Sequence, residues 1–584
     1  MRTTPASSSL APTDILPEHD SVHADLLPGK RSESVHEADD ARHDELHDGV
    51  IQHRRNIPCV LVGALTIALA ACTSDAVDGT PPSTTTTTTT AVPVPTTEPQ
   101  PVPTTDLEPE QTMATPESSE RLLGDAEVAF ATVACDELAA APATCGTAAV
   151  PADWAKPNGS TIEVFYVVVP AASGASTGTV IPFAGGPGES ITAQIERFAP
   201  LSGAVPDSDL LIVDVRGAGR SGALTCAVLD DASERAVGTR QVEDAARCAE
   251  QIGARRNHYT TVASVLDVES IRRGLGLERA SLIGFSYGTF MAQTYTTLFP
   301  GDVRGAVLDG AYPTEQTGWN TDIPTSIEPV LERRCERTGA CPDGAASVAA
   351  SIRTVAASLA EAPVSLPGAE QELTEGMLAN VIQFSLQDSS MESFVEMVSA
   401  AARGDLRALN EAALALVASI PVEPTAYSPA LFHAVACNDY VAQFDVDDDV
   451  PVRRIDFEHR LEELPDDEFD MFSKQGWIGS GTDEGDMCLA WPTPDIAPEL
   501  RIRRGVQRPD VPVLVVNGDI DMQTPLSGAR RVAAAFPNSV LLVVPNAGHV
   551  ALPVSECAAR IEFAFLADPV LPDGDACLDQ PVPE

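Results

Sequence analysis

Gly284-Phe285-Ser286-Tyr287-Gly288 sets a serine between two glycines. A short apolar run, Ala280 to Ile283, precedes it, and a stretch of helical length follows before Pro300. Strand, G-x-S-x-G and helix make a nucleophile elbow, in which a sharp turn exposes the serine and the small flanking residues relieve crowding. A serine hydroxyl is a weak nucleophile alone and needs a base, itself oriented by an acid. On a sheet of this kind the order expected along the chain is Ser, Asp, His. "VLVVNG" runs into Asp519 and Asp521, and "LLVVPNAGH" ends on His549. Each follows an apolar strand, at the carboxyl edge where open α/β sheets bind ligands. Of the two aspartates, Asp521 is preferred. Asp519 directly follows Gly518 and serves to cap the turn. Asp521 precedes Thr524-Pro525, expected as the N-cap and first residue of a helix that holds its loop. His258, His433 and His459 lack such a setting. An oxyanion needs backbone N–H donors. Tyr287, next after the serine, is one, and Gly186 of the Gly185–Gly188 loop "GGPG" is the other, since Pro187 has no N–H.

Those residues need a scaffold. "TIEVFYVVVP" alternates as a strand does, "TVIPF" and "DLLIVDV" are apolar strands that each enter a glycine-rich loop, and "GAVLDGAY" resumes the pattern after the elbow. "VASVLDVESIRRGLGL" is an amphipathic helix. Near-continuous apolar strands alternating with helices predict a mostly parallel α/β sheet covered on both faces. From 314 to 508 the periodicity turns helical, and strand patterns return after 509. The expected division is therefore a core over 121–313 and 509–584, interrupted by a helical cap.

The 584 residues carry 85 acidic and 37 basic side chains, a formal charge of −48, spread along the chain. That excludes nucleic acid, which needs a basic patch. Ten cysteines beyond residue 72 are scattered, even in number and without C-x-x-C spacing, which argues against zinc and for disulfides in an oxidising compartment. Residues 53–72 show two arginines, an apolar run and Leu69-Ala70-Ala71-Cys72, and resemble a bacterial lipoprotein signal with Cys72 as the lipidated residue. The acidic stretch 1–52 is foreign to a signal: either it is an unusual N-terminal extension or translation starts nearer Val50, the second being the preferred expectation. Residues 73–120 are Thr/Pro-rich, with Thr84 to Thr90 unbroken, a composition for an extended, disordered tether. The expected location is extracytoplasmic, as an envelope lipoprotein or a secreted protein.

"AGGPG", "DVRGAGRSG", "GFSYGT", "NGDIDMQTP" and "NAGH" together resemble the α/β-hydrolase peptidases of the prolyl iminopeptidase and tripeptidyl aminopeptidase group, above all the secreted actinobacterial enzymes with a TAP-like C-terminal region. The resemblance spans 121–584. It implies an α/β-hydrolase fold with an inserted cap, Ser286 as nucleophile, Asp521 as orienting acid, His549 as base, no metal or organic cofactor, and release of short peptides from free N-termini. Ala184 stands where the group has a histidine before GGPG, and Val215 where it has the glutamine of D-Q-R-G. "AVACNDY" and "MCLAWP" resemble the group's paired cap cysteines. Sequential pairing then predicts Cys135–Cys145, Cys226–Cys248, Cys335–Cys341, Cys437–Cys488 and Cys557–Cys577. Peptide substrates and a membrane, through the lipid anchor, are the expected partners. An exopeptidase must read its substrate's α-ammonium group, for which Glu189 and Asp439 are the candidates. The same triad also hydrolyses esters, so an esterase or lipase is the competing enzyme reading, and a non-catalytic surface binder the third.

Overall fold

The computed structural model describes residues 115–135, 143–230, 240–315, 318–368, 371–419, 423–480 and 486–578. The signal, Cys72 and most of the tether lie outside them. A nine-stranded sheet organises the chain, built from β1 (Ala129–Val133), β2 (Thr144–Pro151), β3 (Thr161–Val169), β4 (Thr179–Phe183), β5 (Asp209–Val213), β6 (Ala280–Phe285), β7 (Val303–Asp309), β10 (Val513–Gly518) and β11 (Ser539–Val544). Their order across the sheet is β1-β2-β3-β5-β4-β6-β7-β10-β11. β5 through β11 run parallel, and β1, β2 and β3 pair antiparallel at one edge. The two-residue strands β8 (Val364–Ser365) and β9 (Glu372–Leu373) form a separate hairpin.

The apolar strands are explained by double cover. β4 and β10 are buried at every residue. Because successive side chains alternate faces, Leu282 joins one hydrophobic cluster and its neighbour Ile283 the other. The first cluster takes in helices Thr261–Gly274 and Tyr287–Leu298, and the second takes in helix Glu556–Ala567.

Between β7 and β10 come eight α-helices among the described residues, from Asp322–Thr338 to Lys474–Ile478. They form the insertion anticipated from the helical periodicity. All five cysteine pairs expected from their order are joined, with Cα–Cα separations of 5.1 to 5.9 Å.

Three local expectations change. Helix Pro116–Gly124 begins inside the stretch read as tether. Thr115 and Ser118 form a reciprocal capping box there, and Leu122 is buried. The helix near Asp521 runs Leu526–Ala535 with Pro525, not Thr524, at its cap. β1 and β2 carry little strand signal: β1 is solvent-exposed throughout, β2 is rich in small residues, and the Cys135–Cys145 bridge ties the pair together.

Candidate active site

Ser286 sits at the end of β6 with φ 53° and ψ −121°, and helix Tyr287–Leu298 starts at the next residue. That conformation is strained for a non-glycine residue. It persists because the turn is held on both sides. The Ser286 N–H donates to the Asp309 carbonyl at 3.1 Å, and its own carbonyl accepts the Thr289 N–H and hydroxyl at 2.8 and 2.7 Å. A side chain at Gly284 would collide with the Gly288 carbonyl, and one at Gly288 with the Phe183 carbonyl. This is the steric reason for the two glycines.

The "GGPG" loop leans over the serine. A Cβ on Gly185 would lie 3.3 Å from Ser286 Cβ and 3.4 Å from Glu189 Oε2. Gly186 and Gly188 have φ of 107° and 110°. Among the described residues, the Gly186 N–H donates to no protein acceptor. Buried Asp214, from the "DVRGAGRSG" loop, anchors the segment. Its carboxylate accepts the Ser190 hydroxyl at 2.9 Å, the Thr192 N–H and hydroxyl at 3.0 and 2.5 Å, and the Arg220 N–H at 2.8 Å. Val215 therefore leaves the loop's main anchor intact.

His549 Nδ1 lies 3.1 Å from Asp521 Oδ2 and 3.2 Å from Oδ1. Asp521 is buried, and its carboxylate also accepts the N–H groups of Gln523 and Thr524 at 2.8 and 2.9 Å and the Thr524 hydroxyl at 2.8 Å. Thr524 thus turns its hydroxyl to the Asp521–His549 pair, 3.2 Å from Nδ1, instead of capping a helix. Gly310, at φ 70°, packs under the imidazole, where a Cβ would lie 3.2 Å from Cε1. Burial opposes the charged imidazolium, but the Asp521 carboxylate, followed by Asp309 and Glu189, outweighs it and raises the His549 pKa above its usual value.

Asp519 points elsewhere. It pairs with Arg337 of helix Asp322–Thr338, whose Nη1 donates to it at 3.0 Å and to Asn546 Oδ1 at 3.0 Å. It also accepts the Asn546 N–H at 2.8 Å. Asp519 therefore docks the insertion onto the loops after β10 and β11.

The two acids proposed to read an ammonium group separate. Glu189 lies against Gly185, on the side that also faces Ser286, and its Oε2 accepts the Gln194 side-chain amide at 3.2 Å. Asp439 is 2% exposed, and its Oδ2 accepts the Thr261 N–H at 2.5 Å and hydroxyl at 2.7 Å. Thr261 in turn contacts the Tyr287 hydroxyl at 2.7 Å. Asp439 thus serves the first turn of helix Thr261–Gly274 in the interior, and burial pushes its carboxyl up to about 6 against the hydrogen bonds from Thr261. An acid not anticipated from sequence is Asp388, at the end of helix Glu375–Asp388. Its neighbour Gln387 accepts the Met522 N–H at 3.0 Å, and Gln383 donates to the Met522 carbonyl at 3.1 Å, so this helix end lies on the Asp521 loop. Asp388 is open to solvent, yet burial pushes its carboxyl up to about 6, opposed by Gln387 and by the nearby His549 and Arg334. Nothing in its local sequence distinguishes it from other surface acids.

A strained serine, a base oriented by a carboxylate and a glycine loop with an unused N–H can together carry acyl transfer. Residues 179–330 match the alpha/beta hydrolase fold family, and residues 475–577 match the TAP-like protein family. The tripeptidyl aminopeptidase of Streptomyces lividans is 27% identical over 444 residues, 70% of this chain and 78% of that protein. Its counterpart in Streptomyces coelicolor is likewise 27% identical over 444 residues, 70% of this chain and 77% of the relative. The serine protease Hip1 of Mycobacterium tuberculosis is 32% identical over 187 residues, 29% of this chain and 36% of the relative. The chain is an α/β-hydrolase enzyme of the serine-peptidase type that resembles the actinobacterial tripeptidyl aminopeptidases.

Proposed function

We propose that the protein is a serine exopeptidase that releases tripeptides from free N-termini, working outside the cytoplasm. The observation that supports the chemistry is the 3.1 Å contact of His549 Nδ1 with Asp521, which leaves Nε2 as the basic nitrogen, combined with Ser286 at a strained elbow. In this reading Ser286 Oγ attacks the carbonyl carbon of the scissile peptide and His549 takes its proton. The N–H groups of Tyr287 and Gly186 hold the oxyanion. Collapse breaks the C–N bond, and His549 protonates the leaving amine. Water then attacks the acyl-enzyme, again deprotonated by His549, and the peptide leaves. These steps need no metal or organic cofactor.

The relatives' tripeptidyl aminopeptidase activity supports the length of the product. Glu189 beside the elbow and Asp388, exposed at the helix end that lies on the Asp521 loop, are the carboxylates available for a substrate ammonium. Acetylating the N-terminus of a tripeptidyl p-nitroanilide is expected to lower kcat/KM at least about tenfold, because a carboxylate prepared for a cation loses its partner. Equal rates on free and acetylated substrates would remove the exopeptidase reading. Faster turnover of simple acyl esters than of any peptide would move the assignment to an esterase.

Five disulfides are compatible with an extracytoplasmic protein. We extend this to an anchor at Cys72, with the Thr/Pro-rich segment as its tether. Cys72→Ser is expected to shift the protein from the membrane to the soluble fraction or to block its processing. A mature protein without lipid by intact mass would refute the anchor.

A further inference from the structure

β7 ends in Asp309, a residue with no step in the mechanism above and none of the sequence signals that mark the triad. Its main-chain oxygen accepts the Ser286 N–H at 3.1 Å. Its side chain is fully buried, with Oδ1 accepting the Ala551 N–H and Oδ2 the Leu552 N–H, both at 2.9 Å. Ala551 and Leu552 are two and three residues past His549. The next residue, Gly310, donates its N–H to Val516 on β10 at 3.0 Å and packs under the His549 ring. Two consecutive residues therefore hold the elbow, the loop that carries the imidazole and the ring itself.

We propose that Asp309 is a positioning residue that sets the His549 imidazole against Ser286, and that it does so only as a carboxylate. The proposal rests on the catalytic reading given above. A carboxylate has an acceptor for each of the two N–H groups. An amide turns a donor toward one of them, and in a protonated acid the hydroxyl oxygen is the weaker acceptor, so one buried N–H bond is lost or weakened. The loop then shifts at that point, and misplacing a reacting group by 1 Å costs on the order of 10²-fold in rate.

Three ionisable groups face Asp309: His549 from the loop after β11, Asp521 from the loop after β10, and Glu562 from helix Glu556–Ala567. Burial pushes the Asp309 carboxyl up to about 6, opposed by the Ala551 and Leu552 N–H bonds and by His549, and assisted by Asp521. Glu562 is fully buried, and neither carboxyl oxygen has a hydrogen-bond partner among the described residues. Burial and the Asp309 charge push it well above the usual carboxylate range. Of the two neighbouring acids, Glu562 thus keeps a proton and Asp309 carries the charge. As pH falls through about 6, Asp309 takes up a proton and weakens its hold on one N–H of the loop. This protonation adds to that of His549, so the acid side of the rate profile should involve two protons.

The experiment is kcat and KM against pH, between about 4.5 and 8, on a tripeptidyl p-nitroanilide, with the whole protein and Asp309→Asn. Following kcat separates Asp309 from acids that act in substrate binding. The whole protein is expected to lose kcat with a slope approaching two below pH 6. Asp309→Asn is expected to lower kcat on the order of 10²-fold at every pH, keep KM within about twofold, and show a one-proton limb. Its Ser286 should react more slowly with a fluorophosphonate by a similar factor. A one-proton limb in the unaltered protein overturns the proposal even if the variant fails to fold. So does a folded Asp309→Asn with unchanged kcat. If Ser286→Ala retains turnover, the catalytic reading itself has failed, which the Asp309 data alone would not show.

Discussion

Replacing Ser286 by alanine is expected to lower kcat/KM on the order of 10⁶-fold and leave the melting temperature unchanged within error. The rate effect follows from its assigned place as the atom that bonds to the substrate carbonyl. The small stability effect follows from the environment. Ser286 holds its strained backbone through its own main-chain N–H and carbonyl, bonded to Asp309 and Thr289, and alanine keeps both. Among the described residues, no hydrogen bond of the Ser286 side chain supports the fold. The measurement is turnover of a tripeptidyl p-nitroanilide beside calorimetry of the same preparation. Normal turnover by purified Ser286→Ala would mean that the nucleophile lies elsewhere.

Asp521→Asn is expected to lower kcat on the order of 10⁴-fold, because an amide in that position favours the wrong imidazole tautomer. Asp519→Asn is the matched control. Its carboxylate meets Arg337 and Asn546, not His549, so the change is expected to cost about 1–2 kcal/mol of stability and less than about tenfold in rate. The reverse ranking would exchange the roles of the two aspartates. The pH profile gives a second reading. His549 must be neutral to accept a proton, and its pKa lies above the usual histidine value because Asp521, with Asp309 and Glu189, outweighs burial. Activity is therefore expected to fall as pH drops through a value above 6.5. Removing the Asp521 charge should move that limb to lower pH. The same shift has an opposite consequence for stability. The His549–Asp521 pair stabilises the fold most below the unfolded histidine pKa, and that contribution is lost as pH rises through the folded value. The most active form is thus not the one in which this pair stabilises the fold most.

The buried strands and the elbow were legible in the sequence for a common reason. A strand covered on both faces must be apolar throughout, as β4 and β10 are, and a serine turned sharply into a helix needs glycine two positions away on each side. Both are local requirements and leave local marks. β1 left a weak mark because an exposed edge strand needs no apolar run, and β2, though mostly buried, is built from small residues and is tied to β1 by a disulfide. Helix Pro116–Gly124 was hidden by its Thr/Pro-rich neighbourhood. Its start depends on a single Thr115–Ser118 exchange and its packing on Leu122.

The sequence by itself determined the parallel core, the position of the helical insertion and the three residues Ser286, Asp521 and His549 as candidates for one site. Each is written in spacing, periodicity or order along the chain. For the cysteines it offered sequential pairing as the simplest choice, and the structure joins those pairs. Tertiary structure decided what the acids do. Asp439 and Glu189 were equivalent as sequence candidates, yet one is committed to Thr261 in the interior and the other lies against Gly185 on the side that also faces Ser286. Asp519 and Asp521 stand two residues apart, but one meets Arg337 and the other His549. Asp309, Asp388 and Glu562 were indistinguishable among 85 acidic residues. A carboxylate has no periodicity to read. Its role is set by which donors, charges and solvent lie within a few ångströms, and in this chain those partners come from segments as far as 243 positions away, as with Asp309 and Leu552.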